Sequence, residues 1–304
     1  MSSFKVRFIS EKENDLKTYV VNSMAKEKWR PGLEDINSFF ACDPRGLFIG
    51  ELNGRPIGFL TLLKYDQSYC RFSTYIIEKD FRGKGYGMSL YKSALESVLP
   101  SHNISAYAFD DMLQRYVEKS GFQAHWSTPR YDVDLIAAAK SLSQLPLSDV
   151  YRVQTVDQID KQALFNYDAS VFGYQRHKFL QTFLRGEGRH SRVAINEEGD
   201  IVGYTSARVA FIKEEGYRLG PLYADSLEIA QVLLKALFEE MLEKGMSSSH
   251  SVMAEVPTGK NAEAKKLIES LDGKVMCNMT FITTQGIPKG RFENCFAIAG
   301  AEFD

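Results

Sequence analysis

The chain has 304 residues, of which 44% are hydrophobic and 25% charged, with a formal net charge of -2. That length holds two domains of ordinary size, each able to bury a core, and the composition is that of a soluble globular protein. Near-neutral charge without a dense Lys/Arg run gives neither nucleic acid nor a membrane surface an electrostatic footing as a partner.

Cys42, Cys70, Cys277 and Cys295 lie far apart with no C-x-x-C pair, and the five histidines are equally scattered, so neither a disulfide framework nor a metal site is expected. The start of the chain alternates over Phe4 to Ser10 and then turns charged at Glu11, Lys12 and Glu13, unlike a secretory signal. A cytoplasmic protein with reduced thiols is the expectation.

In chain order, Phe4, Val6 and Phe8 alternate as a strand and Leu16 to Lys28 reads as a helix. Trp29 to Asp35 contains Pro31-Gly32 and reads as a turn before a short helix around Ile36 to Phe40. Leu47 to Leu52 and Ile57 to Leu63 are strands joined by Asn53-Gly54, a strong hairpin signal. A third strand, Tyr69 to Ile77, leads towards Arg82-Gly83-Lys84-Gly85-Tyr86-Gly87, and a helix pattern runs from Met88 to Leu99, stopped by Pro100.

This glycine-rich loop has the makings of a pyrophosphate site. Glycines allow backbone N–H groups to converge on one anion, the following helix turns its positive dipole end to the same place, and Arg82 and Lys84 add charge. A dinucleotide fingerprint would need glycine where Met88 stands, and a Walker loop would need Gly-Lys-Ser/Thr. Antiparallel strands feeding such a loop also exclude the order of a doubly wound nucleotide fold.

What is left, R-x-x-G-x-G between a strand and a helix, resembles the coenzyme A loop of the GCN5-related N-acetyltransferase (GNAT) superfamily. The resemblance implies an α/β (α+β) fold whose mixed, mainly antiparallel twisted sheet is flanked by helices. It implies acetyl-CoA as the acyl donor, with Arg82, Gly83, Lys84, Gly85, Tyr86, Gly87 and Met88 around the pyrophosphate and the backbone of Ile76 and Ile77 along the pantetheine. In such proteins the link between the first two helices borders the acceptor pocket, which makes Trp29, Arg30, Glu34 and Asp35 candidates for substrate selection. The other reading of that link is a helix–helix turn with a packing Trp.

Ile104 to Phe109 is the next strand, and Asp110 reads as the cap of a helix closed by Gly121. Against the family's usual N-x-x-A-x-x-L-Y-E-K-x-G-F, Asp110 takes the Asn position and Val117 that of the Tyr which, in many relatives, protonates the departing thiolate. Tyr116, about 100° round the helix from Val117, should face elsewhere. The loss matters little, because a thiol of pKa roughly 8.5 leaves readily as thiolate, whereas a lysine-like amine must give up a proton at a cost of about 4 to 5 kcal/mol at pH 7. A base is therefore the greater need. The strand before the loop offers Arg71 and Ser73 and no acid before Glu78, so the next acidic candidates are Asp110 and Asp111; the alternative for Asp110 is a helix cap alone.

Tyr131 to Leu135 reads as a closing strand and Ser141 to Ser148 as a linker, dividing the chain into domains at 1–140 and 149–304. The second half repeats the order: strand Tyr151 to Val156, helices Asp157 to Ala169 and Arg176 to Leu184, strands Arg192 to Asn196 and Ile201 to Val209. Its strand Tyr217 to Tyr223, however, runs into Ala224-Asp225-Ser226-Leu227-Glu228, a capping box with no glycine-rich loop. Strand Ser251 to Val256 and a helix from Asn261 complete the pattern, with Ile268 where a Tyr would stand. The second half is similar to a degenerate GNAT-like domain without coenzyme A binding, in a tandem-domain protein.

The expected activity is transfer of an acetyl or other short acyl group from acetyl-CoA to a small-molecule or peptide amine, by direct attack in a ternary complex. The alternative is an acyl-CoA binding or sensing protein whose GNAT fold has lost the chemistry.

Overall fold

The computed structural model describes residues 3–245 and 247–304. The first run of elements is β1 (Phe4–Phe8), α1 (Asn14–Lys26), α2 (Asp35–Cys42), β2 (Leu47–Leu52), β3 (Arg55–Lys64), β4 (Tyr69–Ile77), α3 (Tyr86–Leu95), β5 (Asn103–Phe109), α4 (Asp110–Ser120), β6 (Gln123–Ser127), β7 (Arg130–Asp134) and α5 (Leu135–Ser143). The second is β8 (Arg152–Gln154), α6 (Lys161–Phe172), α7 (His177–Phe183), β9 (Arg189–Ile195), β10 (Ile201–Val209), β11 (Tyr217–Ala224), α8 (Leu227–Lys244), β12 (Ser251–Glu255), α9 (Ala262–Ser270), β13 (Lys274–Cys277), β14 (Met279–Thr283) and β15 (Cys295–Ala297).

These elements build two mixed, mainly antiparallel sheets flanked by helices, ordered β1-β2-β3-β4-β5-β14-β6 and β13-β7-β12-β11-β10-β9-β8. Asn53 and Gly54, both at positive φ, make the tight β2–β3 hairpin. β3 is buried on both faces, which explains its continuous apolar run: Phe59 and Leu63 join a core with Val20 and Phe39, while Leu60 and Leu62 join one with Leu90 of α3.

The two sheets exchange strands. β7, expected to close the first sheet, pairs instead with β12 and β13 in the second, Glu255 opposite Arg130 and Ser251 opposite Asp134. In return β14 inserts between β5 and β6 of the first, from Met279 opposite Phe109 to Thr283 opposite Ser105. Each stretch expected to be a unit, 1–140 and 149–304, thus carries a strand of the other's sheet. The segment expected to become a linker at Ser141 is still helix: Asp134 caps α5 by accepting from the Ala137 N–H at 2.8 Å, and Leu135, Ala138, Ala139 and Leu142 pack into the second core.

Two features of the first sheet open it for a ligand. β4 and β5 are parallel and bonded only from Tyr69/Asn103 to Arg71/Ser105, beyond which they diverge. Opposite Phe59 to Thr61 of β3, β4 carries an extra residue, with Thr74 at φ 44°; this bulge turns the rest of the strand. β11 and β12 repeat the divergence after Leu219/Ala254, but there β15 pairs with β11 and fills the gap.

Candidate functional site

The divergence of β4 and β5 forms a cleft of about 570 Å³. Of the residues expected to hold coenzyme A, Ile76, Ile77, Arg82, Gly83, Gly85, Gly87 and Met88 line it. Lys84 and Tyr86 face away: the Lys84 ammonium donates to the Asp80 carbonyl at 2.8 Å, and the Tyr86 ring packs 5.0 Å from that of Phe4.

The loop is built for an anion by its backbone. Gly83 and Gly85 stand at φ 76° and 86°, in the left-handed region that favours glycine, and a Cβ on either would meet nothing within 4 Å. The constraint is therefore conformational, and the space in front of the loop is open. Gly85 is the N-cap of α3; no side chain caps the first turn and no acidic residue sits in it. The Arg82 guanidinium is held at the mouth, donating from Nε to the Ile77 carbonyl at 2.7 Å and from Nη2 to Glu27 at 2.5 Å.

The equivalent place in the second half is closed. Ser226 caps α8, accepting from the Ile229 N–H, and Glu228 lies in its first turn. Asp225 beside it accepts from Tyr167 Oη and Asn294 Nδ2, and the gap it would face holds β15.

At its other end the cleft is aromatic. Trp29 and Phe109 pack with ring centres 6.4 Å apart, and Tyr107 lies beside them. The Arg71 guanidinium is fully buried behind that wall, 4.9 Å from the Tyr107 ring and 5.4 Å from Phe281. The second half contributes Met279, Ala301 and Glu302 to the lining. Both Glu302 oxygens accept from Arg218 at 2.9 Å, while its carbonyl accepts from Ser73 Oγ at 3.2 Å. Arg130, another lining residue, donates through Nε and Nη2 to Glu255 at 3.0 and 2.5 Å. Burial pushes Glu255 up, but Arg130 and Arg218 outweigh it and lower its carboxyl to about 2.

Three of the four residues expected to select substrate are used to join the two halves. Asp35 is buried, accepting from the Gly32 N–H at 2.7 Å and pairing with Arg208 at 2.9 Å and Arg189 at 3.1 Å. Burial raises the Asp35 pKa, yet Arg208, Arg189 and Arg218 together hold it below the usual carboxylate range. Arg30 bonds Asp132 and Ser251, and Glu34 accepts from the Glu187 N–H. Trp29 alone of the four lines the cleft.

The expected base is not brought to the cleft. α4 begins one residue earlier than a cap at Asp110 requires: Phe109 is the N-cap, and Asp110, the first helical residue, accepts from Asn278 Nδ2 at 2.9 Å. Neither Asp110 nor Asp111 lines the cleft. Tyr116 corrects another expectation. Val117 faces solvent, and Tyr116 turns into the cleft lining against Phe72 and Phe122. Burial pushes the Tyr116 and Tyr107 phenols up, so both stay protonated and neither offers a phenolate as a base. Glu302 and Tyr107 were not anticipated; Glu302 reaches the site from a stretch with no motif.

Comparison with known proteins places residues 14–122 in the Acetyltransferase (GNAT) family and matches residues 164–297 to an Acetyltransferase (GNAT) domain. Holothin acyltransferase of Pseudoalteromonas sp. (strain SANK 73390) is 30% identical over 215 residues, 70% of this chain and 68% of that protein. Among solved structures, a candidate acetyltransferase of Pyrococcus horikoshii superposes with a TM-score of 0.75 at 17% identity, covering 98% of this chain and 95% of the other. A tandem GNAT protein from the clavulanic acid biosynthesis pathway gives 0.69 at 14%, covering 92% and 98%.

Proposed function

This chain belongs to the GNAT superfamily as a tandem-domain protein, and from that premise we propose that it transfers an acetyl or other short acyl group from acetyl-CoA to an amine, using the first-half cleft alone. The observation that carries the reading is the uncapped start of α3, on a turn of left-handed glycines, opening onto the gap between β4 and β5. Backbone N–H groups of that first turn would bind the pyrophosphate, with Arg82 exchanging Glu27 for a phosphate oxygen. Pantetheine would lie along the free edge of β4 at Ile76 and Ile77. The amine would attack the thioester carbonyl from the Trp29 and Phe109 side in a ternary complex, and an N–H of β4 would meet the developing oxyanion. Tyr116, which lines the cleft, would donate a proton to the departing thiolate.

Calorimetric titration of acetyl-CoA into wild type and Gly85→Asp tests this. Asp tolerates the left-handed region better than most residues, and the site is open, so the substitution adds charge at the cost of local backbone strain and without a steric clash. Affinity should fall by about a hundredfold or more, the loss expected when charge repulsion replaces one or two charge-assisted bonds. Equal affinity in the two proteins would refute the site.

The second reading, an acyl-CoA binding or sensing protein, is favoured by the engagement of Glu27 and Glu302 in ion pairs, which leaves neither carboxylate free as a base. Acetyl-CoA binding with no amine-dependent turnover across a broad acceptor panel would support it.

A further inference from the structure

Resting on the transferase reading above, we propose that the acceptor is a weakly basic aromatic amine, an aryl or heteroaryl amine that is already neutral at physiological pH. The acceptor end is lined by the rings of Trp29 and Phe109, with Tyr107 also in the lining and the Arg130 guanidinium 5.8 Å from the Phe109 ring. A flat, delocalised substrate stacks on such faces. An alkylammonium needs something else, a carboxylate to pair with and a base to take its proton.

Among the described residues, two carboxylates line the cleft, and each is held by a guanidinium. Glu27 pairs with Arg82 at 2.5 Å, and Glu302 lies bidentate on Arg218 at 2.9 Å. Arg130, a lining cation, is paired with Glu255. Among the described residues no histidine lines the cleft. The other titratable groups there are Arg82, Arg115 and the phenols of Tyr75, Tyr107 and Tyr116, which burial pushes up. None of these accepts a proton near neutrality.

For a lysine-like acceptor at pH 7, only about one molecule in 2,500 has the free lone pair that attacks. An arylamine carries no such handicap. Its nitrogen lone pair forms the C–N bond at the thioester carbonyl and the carbonyl electrons move to oxygen. The attacking nitrogen, now positively charged, becomes strongly acidic. Collapse of the intermediate breaks the C–S bond with its electron pair on sulfur, and the nitrogen's surplus proton ends on that sulfur. The products are the amide and the free thiol, and no base of the protein is consumed.

The experiment compares aniline with benzylamine, rings of similar size that differ in basicity, in a thiol-release assay on the full chain at saturating acetyl-CoA over pH 6 to 9. Aniline should be preferred at pH 7 by about tenfold or more in kcat/KM, with a profile flat within about twofold, since it is already neutral across that range. Trp29→Ala should raise KM for aniline by about tenfold and Trp29→Phe, which keeps a stacking face, should restore most of the loss. Preference for benzylamine, a rate rising with pH for both, or turnover of neither by a protein that binds acetyl-CoA each overturns the proposal. Failure to bind acetyl-CoA overturns the transferase reading itself.

Discussion

Asp35→Asn should separate structure from substrate selection, because the two roles for this residue predict opposite readouts. Asp35 lies 1% exposed in a network that joins Arg130, Arg189, Arg208 and Arg218 to Asp35, Glu255 and Glu302, four guanidiniums against three carboxylates. The variant leaves four against two, with Arg189 and Arg208 stripped of their partner in a buried setting. Breaking a buried pair from one side costs about 3 to 5 kcal/mol, because the remaining charge is left uncompensated. For a chain of this size each kcal/mol lowers the melting temperature by about 2 to 4 °C, so a fall of roughly 10 °C is expected. The sign with pH follows from the depressed pKa of the folded state. Asp35 is ionised in both states above its unfolded value of about 3.9, so its contribution is whole at neutral pH and is lost as pH falls below that value. The gap between wild type and variant should therefore be full at pH 7 and narrow towards pH 3. Thermal melts followed by the fluorescence of Trp29 and Trp126 measure it. A variant that melts within a degree of wild type, but with an altered KM for the amine, would refute the structural role and return Asp35 to the acceptor pocket.

Glu27→Gln frees Arg82 from its partner at the cleft mouth. Such a half-exposed pair is worth about 1 kcal/mol at most, so acetyl-CoA should bind up to about fivefold tighter by calorimetry. Tyr116→Phe should lower kcat by about tenfold or less, because the thiolate is a good leaving group; a loss of about a thousandfold in steady-state assays would show that protonation of sulfur limits the rate. Cutting the chain after Ser148 removes β14 and exposes the β5 edge from Ser105 to Phe109, so residues 1–148 should aggregate and give no acetyl-CoA binding in titration, whereas an independent first domain would bind normally.

The features legible in the sequence are those whose physics is local. The Arg82 to Gly87 loop announces itself because left-handed backbone and an uncapped helix start are requirements met by adjacent residues. The Asn53-Gly54 hairpin is of the same kind. The exchange of β7 and β14 is not, since alternation at Tyr131 and Val133 says that one face is buried and nothing about which sheet buries it. Asp35 is hard to place from sequence for a related reason. An acid beside a turn looks the same in a pocket as in an ion cluster, and its partners Arg189 and Arg208 lie more than 150 residues away. α5 carried a readable signal, Asp134 before apolar residues at 135, 138, 139 and 142, that the strand pattern just before it obscured. Tyr116 lies about 100° round the helix from the position matched to the family's Tyr, and only the cleft beside Phe72 gives its hydroxyl a use.

The loss of the second-half site and the completion of the first are one rearrangement. In the second sheet the gap between β11 and β12 is filled by the chain itself: β15 pairs with β11, and Asn261 Nδ2 donates to the carbonyls of Glu293 and Cys295. From there the same segment crosses to the first half. Ile298 N–H donates to the Glu255 carbonyl and Ala301 N–H to the Glu255 carboxylate, setting Glu302 against Arg218 at the cleft wall. Phe303 then packs on Phe39 of α2 and Phe179 of α7, a ring from each half. A strand bound in the second gap is thus what positions the groups that close the first. Clearing β15 to open a slot in the second half would withdraw Ala301 and Glu302 from the cleft, so the geometry permits one such cleft per chain.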